Sequence, residues 1–356
     1  MLNLGIEYSV AHRMIINLQS IPEVLPLYHP TRILLVDEDN GFLERLSTRL
    51  RARFQCVCFS TAQQAIEYLR SETVHTGDLL PNADQQDADA MEHIADRGQR
   101  ILQGQLSRLT RVFANESRFG ATSVIVTNHT LPDMSGVAML HALREVPLCK
   151  ILLTEAHDMQ SAADTCAEGL IDAFIPKQHQ ALPDALADHL QTSQFAFFRE
   201  LTSLFEPALT SPDTSFLSTA SFREQFRRFV NDYQIIEYCV LLDPPGILGL
   251  DEAGSPTILL VIDEDFQQAS FEIAQAELAP VELLGRLLDG RSVAVFPTSH
   301  GFYAPNMERR WRQYVWPGLP LGDGCLRCAV IDEPDVIRRV CGTVASYADY
   351  RNRRLS

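Results

Sequence analysis

From Arg32 onward the chain alternates short apolar runs with segments of helical spacing. The runs RILLVD, FQCVCF, SVIVTN, KILLT and IDAFIP each have the length and composition of a strand, and a segment with helical periodicity follows each of them. Strands that alternate with helices form a parallel sheet joined by right-handed crossovers. The pattern therefore predicts an α/β domain: a doubly wound, five-stranded parallel sheet with helices on both faces.

One long insertion interrupts this alternation before the third strand, at residues 71–120. Its first part is acidic, and its second part repeats apolar residues at helical spacing from Met91 to Phe113. We predict an acidic loop followed by an amphipathic helix over residues 101–113. That helix either covers a sheet edge or forms a dimer or partner surface, and the pattern favours neither.

The pattern changes after about residue 210, where PALTSPDTS forms a polar break. Beyond it, IIEYCVLLD, ILGL, TILLVID and CLRCAVID read as strands, and DEAGSP between two of them is typical of a hairpin turn. We predict four parts: an N-terminal extension (1–30) that packs on the first domain, the α/β domain (31–190), a long helix with a linker (183–214), and an α+β domain with an antiparallel sheet (215–356).

Charge and cysteine content limit the functions open to the chain. The formal net charge is −16 over 356 residues, which argues against non-specific binding to nucleic acid or anionic membranes. No apolar run approaches the roughly 18 residues of a membrane-spanning helix. Several of the eight cysteines stand inside apolar runs, as reduced, buried cysteines do. These features favour the cytoplasm.

Polar residues of complementary chemistry follow four of the predicted parallel strands. The carboxyl ends of parallel strands meet at one edge of a sheet, so these side chains should converge there. A carboxylate that accepts a phosphoryl group needs a divalent cation, groups that hold the phosphoryl oxygens, and a nearby cation. The candidates are Asp37 and Glu38 after the first strand, Asn128 after the third, Thr154 after the fourth and Lys177 after the fifth.

On these residues, and on the loop LPDMSG, residues 32–190 resemble a response-regulator receiver domain. The resemblance implies that Asp37 and Glu38 are the acidic metal-binding pair and that the carbonyl of Thr130 completes the metal shell. It further implies that Thr154 contacts phosphate, that Lys177 is the family's lysine, that Phe174 is the aromatic switch residue, and that Asn128 stands where the phosphoacceptor aspartate belongs. The insertion and the downstream segment resemble proteobacterial response regulators without a DNA-binding output domain.

Asn128 departs from the family pattern in its chemistry. An amide is neutral and a poor nucleophile, so the usual acyl-phosphate cannot form there, and Mg²⁺ binding should be weakened. Lys177 is then left to pair with Asp37 or with the Asn128 amide oxygen. The proline that usually follows the family's lysine is replaced by Gln178. One interpretation is a pseudo-receiver held in one state or driven by a partner; the other is a scaffold or dimerisation module.

We therefore predict a non-enzymatic, two-component-type regulator that acts through a ligand, a signalling protein or a histidine-kinase-type protein, with homodimerisation left open. One alternative is a DNA-binding regulator, although neither basic segment (308–313 or 351–354) stands in a helix-turn-helix pattern. Another alternative is an output domain that acts as a small-molecule sensor or enzyme.

The remaining candidates have plainer interpretations. His129 and His157 flank the predicted pocket and are interpreted as bystanders, and His300 is interpreted as a loop histidine. Cys325 and Cys328 form a lone CxxC pair, which favours packing over a zinc site. The arginines of MERRWRQYVW are interpreted as a solvated face beside core tryptophans, with anion or protein binding as the alternative; they are Arg309, Arg310 and Arg312.

Overall fold

The computed structural model describes residues 23–71, 111–203, 212–242, 244–322 and 324–355. These residues group into two compact units. The parallel-sheet unit contains Arg32–Arg70 and Thr122–Gln191. The antiparallel-sheet unit contains residues 23–31, 71, 111–121 and the described residues from Thr192 onward. Most of the predicted N-terminal extension and most of the insertion lie outside the described residues. Of the predicted 101–113 helix, residues 111–113 are described and are helical.

The parallel-sheet unit has the predicted doubly wound architecture. Its strands are β2 (Arg32–Val36), β3 (Gln55–Phe59), β4 (Thr122–Asn128), β5 (Cys149–Thr154) and β6 (Ala173–Pro176), in the spatial order β3-β2-β4-β5-β6 and all parallel. Its helices are α1 (Asn40–Leu50), α2 (Ala62–Ser71), α3 (Gly136–Ala142), α4 (Met159–Ala167) and the first part of α5 (Leu182–Thr202).

Both faces of this sheet are buried, because successive side chains of a strand point to opposite faces. On β2, Leu34 and Val36 pack in a core with residues of α2, α3 and α4. The alternate residues Ile33 and Leu35 pack in a second core with residues of α1 and α5. The continuous apolar runs of the sequence are explained by this double burial.

Side-chain caps begin three of these helices where they leave the sheet. Asp39 accepts a hydrogen bond from the Phe42 amide at the start of α1, and Ser135 accepts one from the Ala138 amide at the start of α3. Asp133 instead caps α2 from another loop, accepting hydrogen bonds from the amides of Ala62 and Gln63 at 3.0 and 2.8 Å.

The hydrogen bond from the Gln63 amide is the main reason that the pKa of Asp133 is lowered. A lowered pKa means that the folded state favours the carboxylate. The contribution of this cap to stability is therefore present at neutral pH and is lost as the pH falls through the lowered pKa.

The antiparallel-sheet unit is built on the predicted antiparallel sheet. Its strands are β1 (Leu27–Tyr28), β7 (Ile235–Leu242), β8 (Pro245–Asp251), β9 (Pro256–Asp263), β12 (Leu319–Leu321) and β13 (Leu326–Ile331), in the order β1-β7-β8-β9-β13-β12. A separate pair is formed by β10 (Ser292–Ala294) and β11 (Val315–Pro317). The helices are α6 (Ala220–Asp232), α7 (Glu264–Ala276), α8 (Val281–Leu288), α9 (Pro334–Cys341) and α10 (Tyr347–Leu355).

The predicted DEAGSP hairpin joins β8 to β9. The carboxylate of Asp251 accepts hydrogen bonds from the amides of Ala253 and Ser255, and Gly254 adopts a left-handed φ of 81°. These turn residues explain why the chain reverses at this point.

Two segments group differently from the sequence expectation. Residues 27–28 were expected in an extension packed on the first domain, but they form β1, which pairs antiparallel with β7. Residues 111–120 end the insertion of the α/β domain in sequence, yet they group with the antiparallel-sheet unit. Periodicity along the chain does not report such distant pairing. None of the described helices is long and apolar enough to cross a membrane.

Candidate functional site

Four of the predicted site residues stand at the carboxyl-terminal edge of the parallel sheet. Asp37 follows β2, Asn128 ends β4, Thr154 ends β5 and Lys177 follows β6. The amide of Lys177 donates to the carbonyl of Thr154 at 2.9 Å, which fixes these two strand ends against each other. We call these four residues the pocket.

An ion pair between Asp37 and Lys177 lies at the centre of the pocket. Lys177 Nζ is 2.6 Å from Asp37 Oδ2, and the two side chains are only 15% and 1% exposed. The other carboxylate oxygen, Oδ1, accepts a hydrogen bond from the Asp39 amide at 2.9 Å. Lys177 Nζ also lies 4.9 Å from the centre of the Phe42 ring. Of the two partners that the sequence allowed for Lys177, the structure places Asp37 at hydrogen-bonding distance.

Asn128 makes its own contact within the neighbouring loop. Its side chain is buried, and Nδ2 donates a hydrogen bond to the carbonyl oxygen of Thr130 at 2.7 Å. The opposite orientation of the amide would place two oxygens against each other, so the hydrogen bond fixes the orientation. The carbonyl that the receiver resemblance assigns to a metal is thus the acceptor for Asn128.

The other predicted residues are more scattered. Thr154 is fully buried, and its hydroxyl donates to the carbonyl of Glu155 at 3.1 Å. Glu38 is exposed directly after Asp37, and Phe174 is half-buried against one core of the sheet. The sequence placed these residues at the strand ends and left two partners open for Lys177, and in the structure the hydroxyl of Thr154 is engaged with backbone.

The geometry of these residues does not fit a Mg²⁺ site. Magnesium requires several oxygen ligands in a near-ideal octahedron. Here one oxygen of Asp37 is paired with an ammonium group, the Thr130 carbonyl accepts from an amide, and position 128 supplies no carboxylate. Within the described residues there is also no cluster of three or more His, Cys, Asp or Glu side chains that could hold a metal ion.

Comparison with solved structures identifies the fold. The response regulator LqsR of Legionella pneumophila aligns over 92% of this chain and 95% of its own, with a TM-score of 0.67 and 19% identity. The chain has the fold of this response regulator, and its parallel-sheet unit has the five-stranded parallel fold of a receiver domain. At this identity the likeness establishes the fold alone. No protein-family model matches the sequence, and no curated protein matches it.

Two further solved structures align with about half of the chain. The signal receiver domain of an HD domain-containing protein from Pseudomonas fluorescens Pf-5 covers 50% of this chain and 96% of its own, with 18% identity and a TM-score of 0.33. An adenylate cyclase from Rhodopirellula baltica covers 51% and 99%, with 17% identity and a TM-score of 0.32. These scores are too low to support a functional argument.

A histidine pair shares one carboxylate beside the pocket. His129 Nδ1 and His157 Nε2 lie 3.4 and 3.3 Å from the same oxygen of Asp158. The sequence singled out both histidines but missed Asp158, because only the fold brings the loop after β4 beside the loop after β5. These contacts place both histidines beside Asp158, where the loop after β4 meets the loop after β5.

Gly136 is required by the backbone beside Asn128. A Cβ atom at this position would lie 2.0 Å from the carbonyl oxygen of Asn128, and the Gly136 amide donates to the carbonyl of His129 at 2.8 Å. The glycine of LPDMSG therefore lets the loop return directly over the end of β4.

Replacing Gly136 with alanine is expected to destabilise the protein by about 1–3 kcal/mol, since the backbone must move to admit the methyl group. Urea unfolding of both proteins measures this loss. Gly41→Ala is the matched control: the atoms nearest to its Cβ are the tips of the Asp39 and Arg45 side chains, at 3.2 Å, so no backbone has to move and it should cost clearly less than Gly136→Ala. Equal stability of the Gly136 variant and the wild type would contradict the steric argument.

A fully buried ion pair in the antiparallel-sheet unit was not found from the sequence. Arg118 Nη2 lies 2.6 Å from Glu237 Oε2 on β7, and both side chains are 0% exposed. The same nitrogen donates to the carbonyl of Ala345 at 2.8 Å, and the guanidinium also donates to the carbonyl of Phe113. The other oxygen of Glu237 accepts from the Tyr347 amide at 2.8 Å.

Aromatic packing surrounds this ion pair. The guanidinium of Arg118 lies 4.2 and 4.1 Å from the centres of the Phe113 and Phe119 rings. Burial raises the pKa of Glu237 and lowers the pKa of Arg118, and the attraction between the two charges opposes both shifts. The pair is therefore costly to bury and depends on both partners.

The remaining sequence candidates take structural positions. Cys328 is buried on β13, where burial raises its pKa to about 11, and Cys325 is exposed just before that strand. Trp311 is buried beneath the guanidinium of Arg312, 4.8 Å from its ring centre, and Arg310 pairs with Asp335. Cys328 and Trp311 thus pack in the core as predicted, whereas Cys325 is exposed and the packing interpretation is wrong for it.

Proposed function

We propose that this protein is an atypical response regulator of a two-component-type signalling system in the cytoplasm, and that its receiver pocket signals without aspartyl phosphorylation. The observation that carries the proposal is the 2.6 Å ion pair between Asp37 and Lys177, beside an asparagine at the acceptor position. Protein or ligand binding, rather than phosphoryl transfer, then controls the output.

The charge balance of the receiver pocket supports this proposal. A carboxylate at position 128 would add a negative charge near Asp37, compete for Lys177 and favour a divalent cation. The neutral amide of Asn128 adds no negative charge that a cation would have to balance. A single lysine, Lys177, therefore compensates the buried charge of Asp37. The pocket is thus neutralised by its own side chains, and no cation is needed to hold it in one state.

The partner we propose is a signalling protein, such as a histidine-kinase-type protein, that docks on the receiver domain and changes its state.

DNA binding is less well supported. In the basic segment 351–354, Arg351 pairs with Glu252 and Arg353 with Glu116, and Arg354 lies 4.9 Å from the centre of the Tyr350 ring. Two of these arginines are therefore already neutralised, and the chain as a whole is acidic.

A cleft in the antiparallel-sheet unit favours a second candidate function, small-molecule sensing. The cleft has a volume of about 440 Å³, within the usual range for ligand sites, and Phe266, Phe296 and Phe302 are among its lining residues. His300 and Arg339 also line it, and Arg339 donates to the carbonyls of Thr298 and Ser299 at 3.1 and 2.9 Å. The aromatic lining suits a ring or acyl chain, with polar groups beside it.

The pocket chemistry is tested by titrating the protein with Mn²⁺ as a spectroscopic substitute for Mg²⁺ and measuring free Mn²⁺ by electron paramagnetic resonance. We expect Asn128→Asp to bind on the order of tenfold or more tightly than the wild type, because it restores a third carboxylate. Asn128→Ala, which removes the amide without adding charge, should behave like the wild type. Equal Mn²⁺ affinity of the wild type and Asn128→Asp would contradict the proposal.

A further inference from the structure

Three large apolar side chains of the antiparallel-sheet unit are strongly exposed around helix α8. Leu278, Val281 and Leu288 are 88%, 85% and 72% exposed. Exposed apolar side chains that cluster rather than scatter mark interaction sites on soluble proteins.

Helix geometry places these residues on one face. Successive residues of a helix are about 100° apart, so Val281, Gly285 and Leu288 fall within roughly 60° of its circumference. Leu284 lies beside them and is half-buried, whereas Leu283 and Leu287 lie on the opposite face and are buried. We call Val281, Leu284, Gly285 and Leu288 the Val281 stripe. The helix thus packs on its own unit through one face and presents the stripe outward.

Gly285 stands in the middle of the stripe, and no neighbouring atom within one copy of the chain requires a glycine at this position. A Cβ at this position would meet nothing within 4 Å. A glycine inside a helix costs roughly 0.5–1 kcal/mol relative to alanine. It does, however, leave a flat site between two apolar side chains, where the backbone of a second helix can approach closely.

Leu278, just before the helix, has two unfavourable features of its own. It adopts a left-handed φ of 54° after the end of α7, a position that glycine or asparagine normally fills. It is also the most exposed of the three apolar side chains. Both features are unfavourable in an isolated copy, and burial of this side chain against a partner would offset part of their cost.

We propose that the Val281 stripe, with Leu278, is a docking surface for the same surface of a second copy of this chain, with the two α8 helices antiparallel. Glu282 and Arg286 lie next to each other on one flank of the stripe, at about 100° and 140° from Val281. A two-fold axis that relates antiparallel helices brings identical flanks together in reversed order. Glu282 of one copy then lies beside Arg286 of the other, twice.

The charged side chains beside the stripe favour a second copy of this chain as the partner. Within one copy, Glu282 pairs with Arg286 at 3.3 Å and with Arg312 at 2.5 Å. In the proposed dimer, these side chains of both copies form one larger network of ion pairs at the solvent-exposed rim. No charge is then buried without a partner. A different protein would have to supply the same alternation of charge, whereas a second copy carries it already.

The size of the exposed surface determines the affinity that we expect for the dimer. The exposed apolar patch is on the order of a few hundred Å². This is smaller than a stable interface, which buries roughly 800 Å² on each partner. We therefore expect a weak dimer that dissociates on dilution in the micromolar range.

Sedimentation velocity of the full-length protein between about 1 and 100 µM tests the proposal. The wild type should shift from monomer to dimer as its concentration rises. Val281→Glu should stay monomeric and folded, because the side chain is already solvent-exposed. Leu319→Glu, at an exposed leucine on strand β12 of the same unit, is the matched control and should dimerise like the wild type. A wild type that is monomeric throughout, or a dimer that Val281→Glu leaves intact, overturns the proposal.

Charge reversal tests the antiparallel arrangement separately. Glu282→Arg and Arg286→Glu should each weaken the dimer by placing like charges together. The triple variant Glu282→Arg/Arg286→Glu/Arg312→Glu should restore dimerisation, because it also reverses the second partner of Glu282 and an antiparallel two-fold pairs each reversed residue with its reversed partner. Failure of the triple variant to recover dimerisation would overturn the antiparallel arrangement. This result does not depend on the chemistry of the receiver pocket.

Discussion

Replacing Arg118 with methionine is expected to lower the free energy of unfolding of the antiparallel-sheet unit by about 3–5 kcal/mol, which is the usual cost of leaving one partner of a buried ion pair alone. Methionine retains part of the aliphatic packing between Phe113 and Phe119 but leaves the Glu237 carboxylate buried without its cation. It also leaves the carbonyls of Phe113 and Ala345 without their donor.

Urea unfolding followed by tryptophan fluorescence measures this effect specifically, because both tryptophans of the chain, Trp311 and Trp316, are in the antiparallel-sheet unit. Arg228→Met is the matched control, since it breaks an ion pair with Glu224 in which both side chains are about 60% exposed. That control should cost only a few tenths of a kcal/mol.

A second variant separates the lost charge pairing from lost packing. Arg118→Met/Glu237→Gln removes both charges, so it should recover part of the stability that Arg118→Met loses. If Arg118→Met were as stable as Arg228→Met, the buried pair would not hold residues 111–121 in the antiparallel-sheet unit as strongly as its geometry implies.

The ion pair also bears on how the chain can be divided. A fragment that begins at residue 215, as the sequence suggested, retains Glu237 but lacks Arg118 and strand β1. Such a fragment would have a buried carboxylate without its partner and would expose the edge of β7. The antiparallel-sheet unit is therefore assembled from segments on both sides of β4 in the sequence.

Strand ends were predictable from the sequence because they combine two local signals. An apolar run marks the strand, and the polar residue that follows it falls at the edge where parallel strands end. Asp37, Asn128, Thr154 and Lys177 were all placed in this way. The choice of Asp37 as the partner of Lys177 was one of two options, and only the geometry decided it.

The contacts of Arg118 could not be predicted in the same way. Its partner Glu237 is 119 positions away, and neither residue stands in a recognisable motif. An arginine next to phenylalanines within an insertion also suits an exposed helix end, so burial cannot be inferred from it. Likewise, α8 is apolar on several faces in sequence, and only packing shows that Leu283 and Leu287 face inward while the Val281 stripe faces outward.

Asn128→Asp is expected to produce the second large effect, a gain of phosphorylation. The substitution replaces an amide with a carboxylate in a buried position, at the sheet edge where the other pocket residues also stand. The new carboxylate provides the nucleophile and draws Lys177 and a divalent cation toward position 128.

Intact-mass spectrometry after incubation with Mg²⁺ and a small-molecule phosphodonor tests the central claim most directly, on the wild type beside Asn128→Asp. We predict no adduct on the wild type and the mass of one phosphoryl group on the variant. No adduct on either protein would mean that the rest of the receiver pocket cannot support the chemistry, and that the domain is a scaffold. A stable phosphoryl adduct on the wild type would contradict the claim that this receiver signals without phosphorylation.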